Sequence, residues 1–180
     1  MNPVAKVGAA FIFFLACSAG FAQPTSLTLY SLTESNGLSD NRVSCVFQDH
    51  QGFMWIGTED GLNRYDGSEF KVFKKRSESL TELADNHIHA VAEDAQHHLW
   101  IATQHGLSEY DPEKNSFRSW PCTLNRKDVN VMLDVWPDNH GSIWIGSFAG
   151  LIQFIPSQNK FISFGNPSGN PWPGRPARQS

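Results

Sequence analysis

The sequence predicts an all-β chain built from four-stranded antiparallel units, and two observations carry that prediction. One motif recurs three times at a period of 44 to 45 residues. Each copy also breaks into short alternating apolar runs separated by Asp, Asn and Gly, the pattern of strands joined by tight turns. Trp55, Trp100 and Trp144 are each followed by Ile. Six residues further on stand Gly61, Gly106 and Gly150, each with Leu behind it. Six residues before each Trp stands Asp49, Asp94 or Asp138, and eight before those stands Asn41, Asn86 or Asn130.

In the first copy the inner strand covers 43–48, with Val43, Cys45 and Phe47 alternating. The turn Asp49-His50-Gln51-Gly52 follows. Asp suits its first position because the carboxylate accepts nearby backbone N–H groups, and Gly suits its last because it accepts positive φ. Further strands are expected over 53–58, 62–65 and 69–73. In the second copy His97 takes the place of Gly52 and Gly141, which predicts a turn kept at some strain. In the third, Ile155-Pro156 replaces the turn Asp66-Gly67. There Asp134 also replaces Cys45 and Ala90, so its carboxylate must be paired or face an open channel.

A four-stranded unit of this length is the blade of a β-propeller. The prediction is therefore a partial β-propeller of three four-stranded antiparallel blades, about 38–73, 83–120 and 127–164. Residues 27–30 add an N-terminal closing strand, which copies the outer-strand pattern but precedes the first inner strand. Asn41, Asn86 and Asn130 recur in every copy and read as amides that close a turn, since ligand contacts would be confined to one or two blades. Residues 165–180 are Gly- and Pro-rich without a strand pattern. Propellers close with about four to eight blades, so the expectation is truncation, or assembly with other chains.

Residues 1–22 read as a secretory signal peptide. Lys6 is followed by the apolar run 7–15 and by small residues, with Gly20 and Ala22 at the positions a signal peptidase selects. The run is too short to span a bilayer, and the residues before Cys17 make a poor lipidation site. Removing residues 1–22 takes Lys6 with it and leaves 13 basic against 18 acidic residues. The basic residues are scattered, which excludes a nucleic-acid footprint. Cys45 and Cys122 then remain. They read as a buried and a loop cysteine, not as a disulfide framework.

Candidate chemistry is sparse. Glu59, Asp60 and Asp134 could be offered as a glycosidase pair, but Glu59 and Asp60 sit in one repeated turn. The Asp–Gly separation is also three residues, as in Asp49 and Gly52, one more than in a sialidase-type box. His87 with His89, and His97 with His98, lack Cys or Asp partners at ligand spacing, so no metal and no cofactor is expected. Trp136 and Phe148 are unique to the third copy and, with His87, are the candidate ligand-binding residues. Core packing is the competing role for the two aromatics. The loops 74–86 and 121–128 would border a ligand at one mouth of the ring.

The stretches Leu38-Ser39-Asp40-Asn41-Arg42-Val43 and Gly52-Phe53-Met54-Trp55-Ile56-Gly57-Thr58-Glu59-Asp60-Gly61-Leu62-Asn63-Arg64-Tyr65-Asp66 resemble the two-component regulator propeller repeat. The second copy departs by Ala102 for Gly, and the third at Ile155-Pro156. The resemblance implies a periplasmic ligand-sensing propeller segment of a hybrid sensor histidine kinase, without catalytic output in this chain. It further implies a glycan or other small molecule as ligand. Other blades, downstream sensor domains and a membrane anchor would complete the receptor, which would act as a dimer. The alternatives are a propeller enzyme acting on glycans, a glycosidase or lyase, and a short secreted binding protein.

Overall fold

Three four-stranded antiparallel sheets hold the described residues, 30–77, 79–121, 131–148 and 150–164, of this computed structural model. Blade 1 comprises β1 (Val43–Gln48), β2 (Met54–Thr58), β3 (Gly61–Tyr65) and β4 (Phe70–Phe73). Blade 2 comprises β5 (Ile88–Glu93), β6 (Leu99–Thr103), β7 (Gly106–Asp111) and β8 (Ser116–Trp120). Blade 3 comprises β9 (Met132–Pro137), β10 (Ile143–Ser147), β11 (Gly150–Ile155) and β12 (Lys160–Ser163). Within each blade neighbouring strands are consecutive in sequence. All twelve strands belong to one compact unit, Leu32–Ser180. The expected leader, strand residues 27–29, loop residues 122–128, Cys122, Asn130 and the tail from 165 onward lie outside the described residues.

The six-residue spacing from Asp to Trp has a direct cause. Asp49 Oδ2 accepts the Trp55 indole N–H at 2.7 Å, and Asp94–Trp100 and Asp138–Trp144 repeat the bond at 2.8 and 2.9 Å. The other oxygen closes the turn: Asp49 Oδ1 accepts the N–H of Gln51 and of Phe53, each at 3.0 Å. One carboxylate therefore shapes the hairpin and satisfies a polar atom that would otherwise be buried with its ring. For Asp138 these N–H donors, Ser142 first, hold the carboxyl below its usual range.

Two strands start one residue later than expected. Phe53 is drawn into the Asp49 turn, and Glu69 into that of Asp66, whose Oδ1 accepts its N–H at 2.8 Å. In blade 3 the Asp66-Gly67 turn gives way to a 3-10 turn, Pro156–Gln158, ended by Asn159 at φ 50°. His97 keeps the glycine conformation at φ 67°, as its position among the copies predicts.

Packing between blades explains why Ile follows Trp directly. Alternate residues of a strand face opposite sides of the sheet. Trp55 turns toward blade 2 and is buried with Ile101, Leu99 and Tyr110. Trp100 turns toward blade 3 and is buried with Ile145, Ile143 and Phe154. The Trp face of each blade thus meets the Ile face of the next, and every sheet is apolar on both sides. Close approach is concentrated on the inner strands, β1 beside β5 and β5 beside β9, as in blades fanning from an axis. Trp144 on the last Trp face is only half-buried and leans on Phe164, with ring centroids 5.5 Å apart.

The Ala102 departure is matched across its strand pair. Gly57 lies opposite Cys45, while Ala102 lies opposite Ala90. A Cβ on Gly57 would stand 2.6 Å from Cys45 Sγ and 2.7 Å from Ile88 Cγ2. Gly57→Ala is therefore expected to lower stability by about 1–3 kcal/mol through overpacking. Adding Cys45→Ala, which reproduces the Ala–Ala pair of blade 2, should recover part of that loss. Urea unfolding of the two single variants and the double variant checks this; additive losses would contradict it.

Candidate functional site

Each inner strand carries a bulge at the same place, between Val43 and Cys45, between Ile88 and Ala90, and opposite the step from Gly146 to Ser147. Bulges re-aim a side chain out of the ladder. The residues so presented are Ser44, His89 and Leu133, which differ in every blade while the scaffold around them repeats. They lie near the end of the sheets at which the inner strands begin, called the upper end here. The β2–β3, β6–β7 and β10–β11 turns reach the same end, and the residues after Thr58, Thr103 and Ser147 there are Glu59, Gln104 and Phe148. Variable residues on a fixed frame are where binding is expected to reside.

At this end His87 and His89 stack with ring centroids 4.6 Å apart, and His89 Nε2 lies 3.0 Å from Gln104 Oε1. His105 Nδ1 lies 2.8 Å from Asp85 Oδ2. Arg42 bridges Asp40, at 2.9 Å, and Glu59. The hydrogen bonds from Arg42 hold the Asp40 carboxyl down at about 2. Lys74 Nζ donates to Asp60 Oδ2 at 2.6 Å. Glu59 and Asp60 are thus each engaged by a cation within one turn. They do not face one another across a cleft as glycoside hydrolysis requires. The rim offers imidazoles, an amide, a guanidinium and an aromatic ring, which suits hydrogen bonding and stacking with a hydroxyl-rich ligand.

Of the three sequence candidates, His87 and Phe148 sit at this upper end, and Phe148 is 73% exposed. Trp136 does not join them. It lies opposite Trp144 near the other end of β9, 72% exposed, beside a hollow of about 190 Å³ that Asp134 and Leu151 also line. Its register position is the one at which Phe47 packs between blades 1 and 2. The Asp134 carboxylate faces solvent there and accepts the N–H of Val135 at 2.9 Å.

The recurrent asparagines order the approach to the inner strands. Asn41 Oδ1 accepts the Glu34 N–H at 3.0 Å, and Asn86 Oδ1 accepts the Lys75 N–H at 2.6 Å. Between Lys74 and Asp85, which reach the rim, the described part of the loop 74–86 packs against the blades. Leu83 is buried between blades 1 and 2, Leu80 O accepts the Ser119 N–H of β8 at 2.8 Å, and Glu82 accepts the N–H groups of Arg76 and Ser77. It covers a cleft of about 460 Å³ between β4 and β8, lined by Lys71, Phe73, Arg76, Asn115 and Phe117 among others.

Sequence reasoning missed two recurring contacts. Thr58, Thr103 and Ser147 donate to the carbonyl of the Gly three residues on, at 2.9, 2.7 and 2.9 Å. Asp40 and Asp85 accept the N–H two residues on, at 2.7 and 2.8 Å. Both follow fixed offsets and were open to the same search that found Trp and Gly. A third contact, uniting His50, Glu93 and His97 at the lower end, follows no offset.

The family model for the two component regulator propeller matches residues 37–60 and 82–105, which hold β1–β2 and β5–β6 with their Asp–Trp turns. Blades 1 and 2 thus each hold a stretch that matches the two-component regulator propeller repeat. A histidine kinase of Formosa agariphila is 40% identical to it over 70 residues, which is 39% of this chain and 5% of the kinase. The extracellular domain of a hybrid two-component system of B. thetaiotaomicron superposes with a TM-score of 0.65 at 29% identity, covering 76% of this chain and 20% of that domain. At 12% identity and a TM-score of 0.58, virginiamycin B lyase from Staphylococcus aureus shares the fold, over 74% of this chain and 44% of the lyase. The chain thus spans about a fifth of the extracellular domain it resembles, and far less of the kinase.

Proposed function

We propose that this chain is the ligand-sensing propeller segment of a periplasmic hybrid two-component sensor histidine kinase, with no catalytic output of its own. The observation that carries this reading is the 29% identical match to an extracellular domain of a hybrid two-component system over 76% of the chain. The ligand is a glycan or similar small molecule met at the upper end by His87, His89, Gln104 and Phe148, the residues that depart from the repeat. Residues 1–22 export the chain, and residues 27–30 close the ring by joining its last blade. Further blades, a membrane anchor and the kinase belong to a longer dimeric receptor.

Thermal unfolding of the chain against a panel of oligosaccharides tests the sensor reading. A ligand present at 100 times its Kd is expected to stabilise the fold by about 2.7 kcal/mol. His89→Ala and Phe148→Ala should each weaken that response. Cleavage of the bound oligosaccharide would instead make the chain a propeller enzyme. Export is read by fusing residues 1–22 to a phosphatase that is active only outside the cytoplasm; an inactive fusion would remove the periplasmic placement.

A further inference from the structure

The lower end of blades 1 and 2 gathers three side chains of metal-ligating type that the sequence does not pair. His50 stands in the β1–β2 turn, Glu93 ends β5, and His97 stands in the β5–β6 turn. One ligand atom from each lies within 4.8 Å of the other two. The two imidazoles stack with centroids 3.7 Å apart. Glu93 is oriented from behind: its Oε2 accepts the His50 backbone N–H at 3.0 Å. That leaves Oε1 facing both rings, in contact with His50 Nδ1 and 3.4 Å from His97 Nδ1.

Three features set this cluster apart from the scaffold. None of its residues follows the repeat: position 50 is Ala95 and Asn139 in the other blades, position 93 is Gln48 and Pro137, and position 97 is Gly52 and Gly141. His97 is moreover held at φ 67°, where both sibling turns use Gly, and such backbone cost gathers at functional positions. Finally, the Glu93 side chain is only 12% exposed, and the polar partners described for it are one backbone N–H and the two imidazoles. A carboxylate so enclosed calls for a cation. A divalent ion between two neutral imidazoles and one carboxylate supplies that cation through a ligand set zinc accepts.

We propose that His50, Glu93 and His97 form a zinc-class divalent metal site that clips blade 1 to blade 2. Two His and one Glu are an established three-ligand set for zinc, with solvent as the fourth ligand. Neighbouring ligands of a tetrahedral zinc stand about 3.3 Å apart, close to the 3.4 Å between His97 Nδ1 and Glu93 Oε1. Coordination by His50 requires its ring, which stands in an exposed turn, to turn out of its stack with His97 so that both imidazoles face the ion. His98 takes no part, since its Nδ1 lies 2.9 Å from Glu109 Oε1. The site is separate from the upper end and does not depend on the sensor reading.

The test is calorimetric titration of the untagged full chain with Zn²⁺, beside thermal unfolding with Zn²⁺ or with chelator. One zinc per chain and a higher unfolding temperature are expected. His97→Gly restores the residue both sibling turns carry, so it should fold at least as well without metal. It should nevertheless lose zinc affinity by at least about tenfold. Glu93→Gln should show the same loss, while His87→Ala combined with His89→Ala should bind as the wild type does. No zinc response in the wild type would overturn the proposal. So would undiminished binding by His97→Gly, or binding that disappears with the His87 and His89 substitutions.

Discussion

Replacing Trp100 by Ala is expected to lower the stability of the chain by about 3–5 kcal/mol, the range for emptying a buried aromatic site. Trp100 is 2% exposed and joins blade 2 to blade 3, against Ile143, Ile145 and Phe154. Trp120 stacks on it with centroids 5.6 Å apart, so the cavity cannot close by a simple slide of β8. The loss has a polar part as well. Asp94 Oδ2 would lose the indole N–H it accepts at 2.8 Å, although Oδ1 would keep the N–H groups of Gln96 and His98. Trp144 supplies an internal control. It makes the same bond to Asp138 but is only half-buried on the last Trp face. Trp144→Ala should therefore cost less than half as much in the same chain. Urea midpoints at unchanged slope read both values. Equal losses for the two variants would mean that the blade 2–blade 3 interface does not supply the stability assigned to it.

The same contrast shows what could be read from the sequence and what could not. Features confined to one hairpin were legible. The Asp–Trp pair, the glycine turns and the alternation in β1 act within a few residues, so physics in one copy constrains sequence in all three. The strands at Met54 and Phe70 begin one residue later than their composition suggests, because an Asp side chain extends each turn and composition does not show how far a carboxylate reaches. Which face of a blade meets which neighbour was not legible, since Trp and Ile are equally apolar. Trp136 is a case in point: the sequence offers it both ligand binding and core packing, and only the strand register shows that it shares its position with Phe47, a residue at a blade–blade interface. The loop 74–86 reads as part of the ligand rim, and the sequence does not show that Leu83 is buried or that Leu80 O accepts the Ser119 N–H of β8, since both contacts join distant residues. The His50–Glu93–His97 cluster joins residues 43 apart, and only the lateral stacking of two blades brings them together.

Gly106→Ala is the second substitution with a large expected effect, and it separates two costs that glycines usually combine. Gly106 opens β7 at φ 143°, where a side chain costs about 1–3 kcal/mol in backbone strain alone. Its added Cβ would also stand 2.6 Å from the carbonyl oxygen of Trp120, and 3.2 Å from both Ala84 Cβ and Pro121 Cα. The nearest of these atoms is backbone, at the end of an outer strand whose Trp120 is buried between blades 2 and 3, so it cannot swing aside as a side-chain tip could. Gly67, at φ 101°, would have nothing within 4 Å of an added Cβ and isolates the strain. Gly106→Ala should therefore exceed Gly67→Ala in lost stability, again by urea midpoint, and the difference should report the displacement of Trp120. Near-ultraviolet circular dichroism of the indoles gives a second readout, changed in Gly106→Ala and preserved in Gly67→Ala. Equal destabilisation with both spectra preserved would show that φ alone selects glycine here. The recurrence of Gly61, Gly106 and Gly150 would then reflect the turn and not the close approach of the outer strand.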